Sequence, residues 1–313
     1  LERAGRSSSK PPKPPPTPPP PRPLSPTATA AEDAARAGVR VRARTAAVLI
    51  VGDEILSGKT PDTNTHEAAQ ELQRSGVQLR RVVVVSDDLV EIARELRALS
   101  DAFDVVISSG GVGPTHDDVT LKAVAAGLGR EYEPNSEMAS LISEKFPQGE
   151  PEVARKMAML PRGSVLRPVP DAPDDWPVLQ CANVFVLPGV PTFFAAKLAT
   201  LTTHFLDGAV PRLHRQLCLT LQEMDIVAPL NAVVSLQEHA SVSFGSYPVE
   251  GHPVDGARTV VTLEADGDAE RALLAALAAL RARLPEGAIL SESEEAVLPV
   301  SPISRNSRRA GAE

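Results

Sequence analysis

Three short apolar runs, each ending abruptly in polar or glycine-rich sequence, constrain this chain more than any other feature. Ala46-Ala47-Val48-Leu49-Ile50-Val51 runs into Gly52-Asp53-Glu54-Ile55-Leu56. Asp104-Val105-Val106-Ile107-Ser108 runs into Ser109-Gly110-Gly111, and Val184-Phe185-Val186-Leu187 runs into Pro188-Gly189-Val190-Pro191. Continuous rather than alternating apolar character is expected of strands covered on both faces. Between the first two runs, 63–75 reads as a helix terminated by Gly76, 77–85 as a Val-rich strand, and 89–99 as a helix with Ile92, Leu96 and Leu99 on one face. Strands alternating with helices of this length call for parallel pairing and right-handed crossovers. The predicted fold class is therefore α/β: a three-layer α/β/α arrangement around a mostly parallel sheet.

Further helices are predicted over 119–128, 136–145, 151–159 and from 191 to about 205. Segments 217–221, 225–238, 242–247, 258–264 and 268–284 then read as β, α, β, β, α, a second and smaller α+β domain. Residues 11–23 are almost all proline, the composition of a solvated polyproline spacer. The Ala/Arg-rich stretch 31–44 has weak periodicity and reads as a frayed helix or linker. The expected organisation is a disordered segment over 1–45, domains over 46–208 and 209–290, and a disordered tail over 291–313.

A formal net charge of -8 disfavours broad attraction to polyanions, so neither nucleic acid nor an anionic membrane is an expected partner. Small molecules are. No run approaches the roughly 18 apolar residues needed to span a bilayer. Cys181 and Cys218 stand far apart without CxxC spacing, which suits a reducing, cytoplasmic compartment. The sequence begins at Leu1, as a fragment or processed product would, so organelle targeting stays open.

In an open parallel sheet the ligand crevice lies beyond the carboxyl ends of the strands. Gly110, Gly111 and Gly113 let successive amides face one concave site, which favours phosphate, although glycines at a strand-to-helix turn also serve packing. Asp117 and Asp118 beside such a nest would repel phosphate unless a cation intervenes. Mg²⁺, which takes one or two carboxylates plus phosphate oxygens, resolves the conflict. Thr115 or Asp117 can cap the following helix, and the alternative to metal binding is that Asp117 or Asp118 merely caps it. Asp53, Glu54 and Asp62 can complete the same metal site or hold a ribose or pterin. Asp62 can equally cap a helix that starts at Thr63-Asn64. His116 can contact phosphate, Lys59 can neutralise its charge, and Gly245-Ser246-Tyr247-Pro248 can form a turn over the ligand.

Together, Gly52-Asp53-Glu54-Ile55-Leu56, Gly58, Asp62-Thr63-Asn64, the string from Gly110 through Thr115-His116-Asp117-Asp118 to Thr120, and Leu187-Pro188-Gly189-Val190-Pro191 resemble the MoaB/MogA molybdopterin-binding family. Within that family, Thr115-His116-Asp117-Asp118 and Gly245-Ser246-Tyr247-Pro248 are similar to CinA-type proteins and to the N-terminal domain of eukaryotic FAD synthases. The resemblance implies a pterin or nucleotide phosphate at the glycine loop, a homo-oligomer, and divalent metal (Mg, Mn or Co) at Asp53, Asp62 and Asp118. It implies catalytic roles for Asp53, Asp117 and Asp118. Ligand contacts are implied for Gly110, Gly111, Gly113, Thr115, His116, Asp62, Asn64, Gly189 and Tyr247. The expected reaction is metal-dependent hydrolysis of the pyrophosphate in FAD or ADP-ribose. The alternatives are molybdopterin binding with adenylyl transfer, or a non-catalytic nucleotide-binding module. The separate FMN adenylyltransferase domain of FAD synthases is not in this sequence, and that activity is expected to be missing from the chain.

Overall fold

The computed structural model describes residues 24–36, 38–170, 172, 174–208 and 212–294; the proline-rich spacer, and the tail from residue 295 onward, lie outside these. The chain divides at 206–207 into two compact units, with the short stretch 70–78 grouped with the second.

The first unit is built on β1 (Thr45–Val51), α1 (Asn64–Arg74), β2 (Gln78–Val85), α2 (Leu89–Ala102), β3 (Val105–Ser109), α3 (Thr120–Gly127), β4 (Val165–Arg167), β5 (Val178–Cys181), β6 (Val184–Leu187) and α4 (Pro191–Thr200). Its six-stranded sheet has the order β2-β1-β3-β6-β5-β4. At the centre β1, β3 and β6 are parallel, with Ile50 opposite Ser109 and Ser109 opposite Leu187. The last two pairings, β6 with β5 and β5 with β4, are antiparallel. Sequence reading anticipated the centre and missed this edge, because four- and three-residue strands carry too few side chains for a period to register.

The apolar runs are buried on both faces, as their composition requires. Ala47, Leu49 and Val51 share a core with Ile92, Leu96 and Leu99 of α2 and with Ala123 and Val124 of α3. The intervening Val48 and Ile50 are just as buried, and α4, with Phe194 and Leu198 buried, packs on β6. From β1 the chain moves outward to β2, then returns past β1 to β3. The strand order therefore reverses between β1 and β3, and the two diverging crossovers leave a crevice there.

The expectation of a frayed helix or linker over 31–44 needs correction. A helix over Pro26–Arg36 buries Ala28, Ala31 and Ala35, and a short strand, Val41–Ala43, follows. The Gln180 side chain donates to the Ala31 carbonyl at 3.1 Å, and Arg167 donates to the Val39 carbonyl at 2.8 Å. Alanine supplies little contrast between faces, so the helix has a buried side without an apolar stripe that a sequence reading would detect.

The second unit comprises β7 (Arg212–Leu219), α5 (Glu223–Val234), β8 (Ser243–Pro248), β9 (Thr259–Asp266), α6 (Glu270–Arg281) and β10 (Ile289–Ser293). Its antiparallel sheet has the order β8-β9-β7-β10. Leu217, Leu219, Val261 and Leu263 meet Ile226, Val233, Leu273 and Leu277 of the two helices. The predicted β, α, β, β, α succession is present, and β10 is a further strand that extends it. No helix among the described residues is long and apolar enough to cross a membrane.

Candidate functional site

A cleft opens at the carboxyl ends of β1, β3 and β6, lined by Ile50, Glu54, Thr60, Asp62, Asn64, Ser109 and Gly189 among others. One side chain holds its walls together. Asn64, almost fully buried at the start of α1, donates through Nδ2 to Ser109 Oγ at 2.9 Å and to the Gly189 carbonyl at 2.8 Å. Three loops that are distant in sequence thus meet on one amide. Of the expected ligand-contacting residues, Asp62, Asn64 and Gly189 line this cleft; the loop from Gly110 to Asp118 adjoins it through Ser109.

The glycines of that loop have a packing role that the geometry makes explicit. Gly110 has φ +101°, and a Cβ there would stand 2.2 Å from the Val51 carbonyl oxygen. Gly111 has φ +63°, and a Cβ would stand 2.3 Å from Thr120 Oγ1. The start of α3 is tied to the same two residues: Thr120 donates from Oγ1 to the Gly110 carbonyl at 2.9 Å and from its amide to the Gly111 carbonyl at 3.0 Å. Among the described residues, the amides of Gly111, Val112 and Gly113 have no hydrogen-bond acceptor. Packing accounts for why residues 110 and 111 are glycine.

Thr115, Asp117 and Asp118 do not cap α3, which corrects the capping expectations. The N-cap position is Val119, with no side-chain capping bond. The two carboxylates turn back on Thr115, whose amide donates to Asp118 Oδ2 at 2.8 Å and whose hydroxyl lies 2.6 Å from the same oxygen and beside Asp117 Oδ1. That hydroxyl is the main reason the Asp117 carboxyl is held below the ordinary carboxylate range; nearby His116 and Lys156 contribute in the same direction. Lys156, on the helix Pro151–Met157, also donates to the Thr115 carbonyl. His116 is 98% exposed, with Nδ1 3.9 Å from Asp117. Lys59 is exposed.

The carboxylates expected to hold a metal are engaged separately. Asp62 accepts from the Thr65 amide at 3.0 Å in the first turn of α1, and Asp118 is bonded to Thr115. Asp53 instead faces Asp87, a residue the sequence reading passed over: the Asp53 amide donates to Asp87 Oδ2 at 2.9 Å, and the Asp87 amide reaches Asp53 Oδ1 at 3.4 Å. Partial burial, reinforced by the negative charges of Asp53, Glu54 and Asp117, raises the Asp87 carboxyl above its ordinary value. Among the described residues no three His, Cys, Asp or Glu side chains form a metal-binding group. Asp53, Asp62 and Asp118 therefore do not fit a cation as one closed set. Asp53 and Asp87 share reciprocal amide-to-carboxylate bonds, and Mg²⁺ asks for only one or two carboxylates, with phosphate oxygens and water completing its shell. The signal for Asp87 was available in the sequence: Ser86-Asp87-Asp88 is the polar end of β2, a fourth strand end on the same edge. Tyr247 belongs to β8 of the second unit, opposite Val260, and is exposed.

Residues 47–208, just over half of the chain, match the family model described as a probable molybdopterin binding domain. The chain belongs to that molybdopterin-binding family. Residues 211–293 of this family member match a second model, the middle domain of FAD synthase. A probable FAD synthase of Caenorhabditis elegans is 34% identical over 231 residues, covering 66% of this chain and 44% of the relative. The chain thus spans less than half the length of that protein. A protein of Archaeoglobus fulgidus is 33% identical over 206 residues, covering 66% of this chain and 86% of its own. Among solved structures, the CinA protein of Thermoplasma acidophilum, of unknown function, is 36% identical with a TM-score of 0.46, covering 51% of this chain and 96% of that one.

Proposed function

We propose that this member of the molybdopterin-binding family holds the pyrophosphate of a dinucleotide beyond β1, β3 and β6, and hydrolyses FAD or ADP-ribose with the help of a divalent cation. The observation that carries this reading is the convergence, on Asn64, of the loops after β3 and β6, beside a run of three unpartnered amides at Gly111, Val112 and Gly113. Such amides accept phosphate oxygens without a side chain intervening. The match of 211–293 to the middle domain of FAD synthase favours FAD over a pterin.

In this scheme the glycine loop orients the pyrophosphate, and Asn64 keeps the loops after β3 and β6 in register. Thr115, held by Asp118 and Lys156, fixes the loop's outer turn. Asp53 and Asp87 would hold the cation, which when bound lowers the pKa of water and offsets charge at phosphorus. Water oxygen adds to one phosphorus, the bridging P–O bond breaks, FMN and AMP leave from FAD, and the released protons pass to solvent. The test is a product assay on FAD and ADP-ribose with Mg²⁺, Mn²⁺ or Co²⁺, repeated with Asp53→Asn and Asp87→Asn. Folded protein that releases no nucleotide monophosphate with any of these metals would overturn the reading.

A second reading, binding of molybdopterin, is favoured by the description of the matching family model itself. Tighter binding of molybdopterin than of FAD and ADP-ribose in direct competition would establish it in place of the first.

A further inference from the structure

Lys156 stands in the last turn of the helix Pro151–Met157, 41 residues from the loop it reaches, and donates its ammonium to the Thr115 carbonyl. Three other cations that cross between distant segments of this unit end on carboxylates: Lys197 on Asp175, Arg130 on Glu32 and Arg162 on Glu133. Lys156 ends on a neutral oxygen and makes no salt bridge among the described residues. Its charge still acts on the loop, since it is one of the causes that hold the Asp117 carboxyl down. An ammonium carries three N–H donors, so the contact with Thr115 leaves donors to spare.

The surroundings of Thr115 are acidic. Asp53, Glu54 and Asp117 lie close enough to Asp87 for their charges to raise its carboxyl, and Asp118 accepts from the Thr115 amide. A pyrophosphate entering beside these groups adds negative charge, and a single divalent cation between Asp53 and Asp87 does not balance the whole set. A further positive charge is required at the loop, from a side chain that no carboxylate has already neutralised. His116 is 98% exposed and charged only if protonated. Lysine offers a point charge with rotatable donors, the form in which phosphate-binding loops recruit a cation. Gly113, whose amide has no acceptor, precedes Thr115 by two residues, a span of at most about 7 Å of extended chain. A lysine head anchored on the Thr115 carbonyl therefore stands within one side-chain length of the glycine loop.

We propose that Lys156 is a pyrophosphate-binding residue, whose ammonium, anchored on the Thr115 carbonyl, donates to a phosphate oxygen of a dinucleotide held at the glycine loop. The inference rests on the proposed phosphate site and names the side chain that supplies its positive charge. That side chain comes from a helix outside the strand-end loops.

The experiment measures equilibrium binding of FAD by flavin fluorescence, and of inorganic pyrophosphate by displacement of FAD, over a range of salt concentrations. The wild-type chain is compared with Lys156→Met, which keeps the length of the stem, and with Lys156→Arg, which keeps the charge; melting temperatures and hydrolysis products are recorded for each. Lys156→Met is expected to weaken both ligands about tenfold, the size of one charge-assisted hydrogen bond, with an unchanged melting temperature. Its binding should also depend less on salt, because a screened charge pair has been removed. Lys156→Arg should retain most of the affinity. Wild-type affinity of Lys156→Met for both ligands overturns the proposal while leaving the phosphate site standing. Equal loss in Lys156→Met and Lys156→Arg, with both melting lower, also overturns it and makes Lys156 only a brace for Thr115. Weaker FAD binding with unchanged pyrophosphate binding overturns it as well, because the contact would then lie elsewhere on the ligand. The expected losses in a chain that binds FAD without hydrolysing it uphold Lys156 and remove only the proposed reaction. Failure of the wild-type chain to bind either ligand overturns both readings.

Discussion

The side-chain amide of Asn64 donates to the hydroxyl of Ser109 at 2.9 Å, and its second hydrogen goes to the Gly189 carbonyl at 2.8 Å. Both donors of one buried amide are thereby spent on holding the loops after β3 and β6 to the start of α1. Replacing Asn64 by Ala removes two buried hydrogen bonds and leaves the Gly189 carbonyl without this donor, a loss of about 2 kcal/mol. Urea denaturation of N64A should report it. Asn64→Asp should be worse, because a carboxylate cannot donate to Gly189 and would face its carbonyl. Equal stability of the two variants would refute the assigned bonding.

Gly110 and Gly58 separate conformational from steric cost. Both have positive φ, but a Cβ at Gly58 meets nothing within 4 Å, whereas one at Gly110 stands 2.2 Å from the Val51 carbonyl oxygen. Gly58→Ala should cost about 1 kcal/mol, the strain of the left-handed region alone. Gly110→Ala should cost about 3 kcal/mol, since backbone must move as well. Parallel denaturation curves check the difference.

Thr115 governs the ionisation of Asp117. Its hydroxyl is the largest of the causes that lower the Asp117 carboxyl, so Thr115→Val should move that carboxyl back up toward its ordinary value. A folded-state pKa below the unfolded one means the interaction is fully present above the unfolded value and is lost as pH falls through the folded one. Carboxyl titration by NMR on the wild type and T115V reads both effects; an unmoved Asp117 in T115V would contradict the hydrogen bond.

Asp87 has the opposite sign. Burial, with Asp53, Glu54 and Asp117 nearby, raises its carboxyl, so its favourable protonated state is complete below the unfolded value and is lost as pH rises through the folded one. Asp87→Asn keeps an oxygen for the Asp53 amide and removes the charge. The variant should melt higher than the wild type at neutral pH without divalent cation, and lose that advantage in acid. Melting curves across the carboxylate range, with EDTA present, test this.

Arg167 anchors the segment before β1. Its guanidinium donates to the Val39 carbonyl at 2.8 Å and to Gln180 Oε1 at 3.0 Å, and stands 4.3 Å from the centre of the Phe205 ring. Arg167→Leu should cost about 2 kcal/mol by leaving the buried Gln180 acceptor unpaired and releasing the Val39 carbonyl. It should also increase proteolytic cleavage near Val39 before any elsewhere in the first unit.

Much of the architecture was legible because its signals are local. The continuous run 46–51 announced a strand covered on both faces, and the polar or glycine-rich ends of three such runs marked one edge of the sheet as the place for chemistry. A resemblance carried by Gly110 through Asp118 pointed to the family to which the chain belongs. Less was legible at the level of individual side chains. Asp117 and Asp118 satisfy Thr115 rather than α3, and Asp53 pairs with Asp87 rather than with Asp62 or Asp118. The buried helix over Pro26–Arg36 was hidden by alanine.

The division follows from range. Strand and helix periods, turn glycines and strand ends depend on neighbours a few residues away, and the sequence by itself determined these. Which carboxylate meets which, and why residue 110 must be glycine, depend on β1, β3 and β6 lying side by side. Val51 and Asn64 meet the loops that begin at Ser109 and Pro188 only after the crossovers have closed. That closure is a property of the tertiary structure, and it alone decided which of the legible residues share a site.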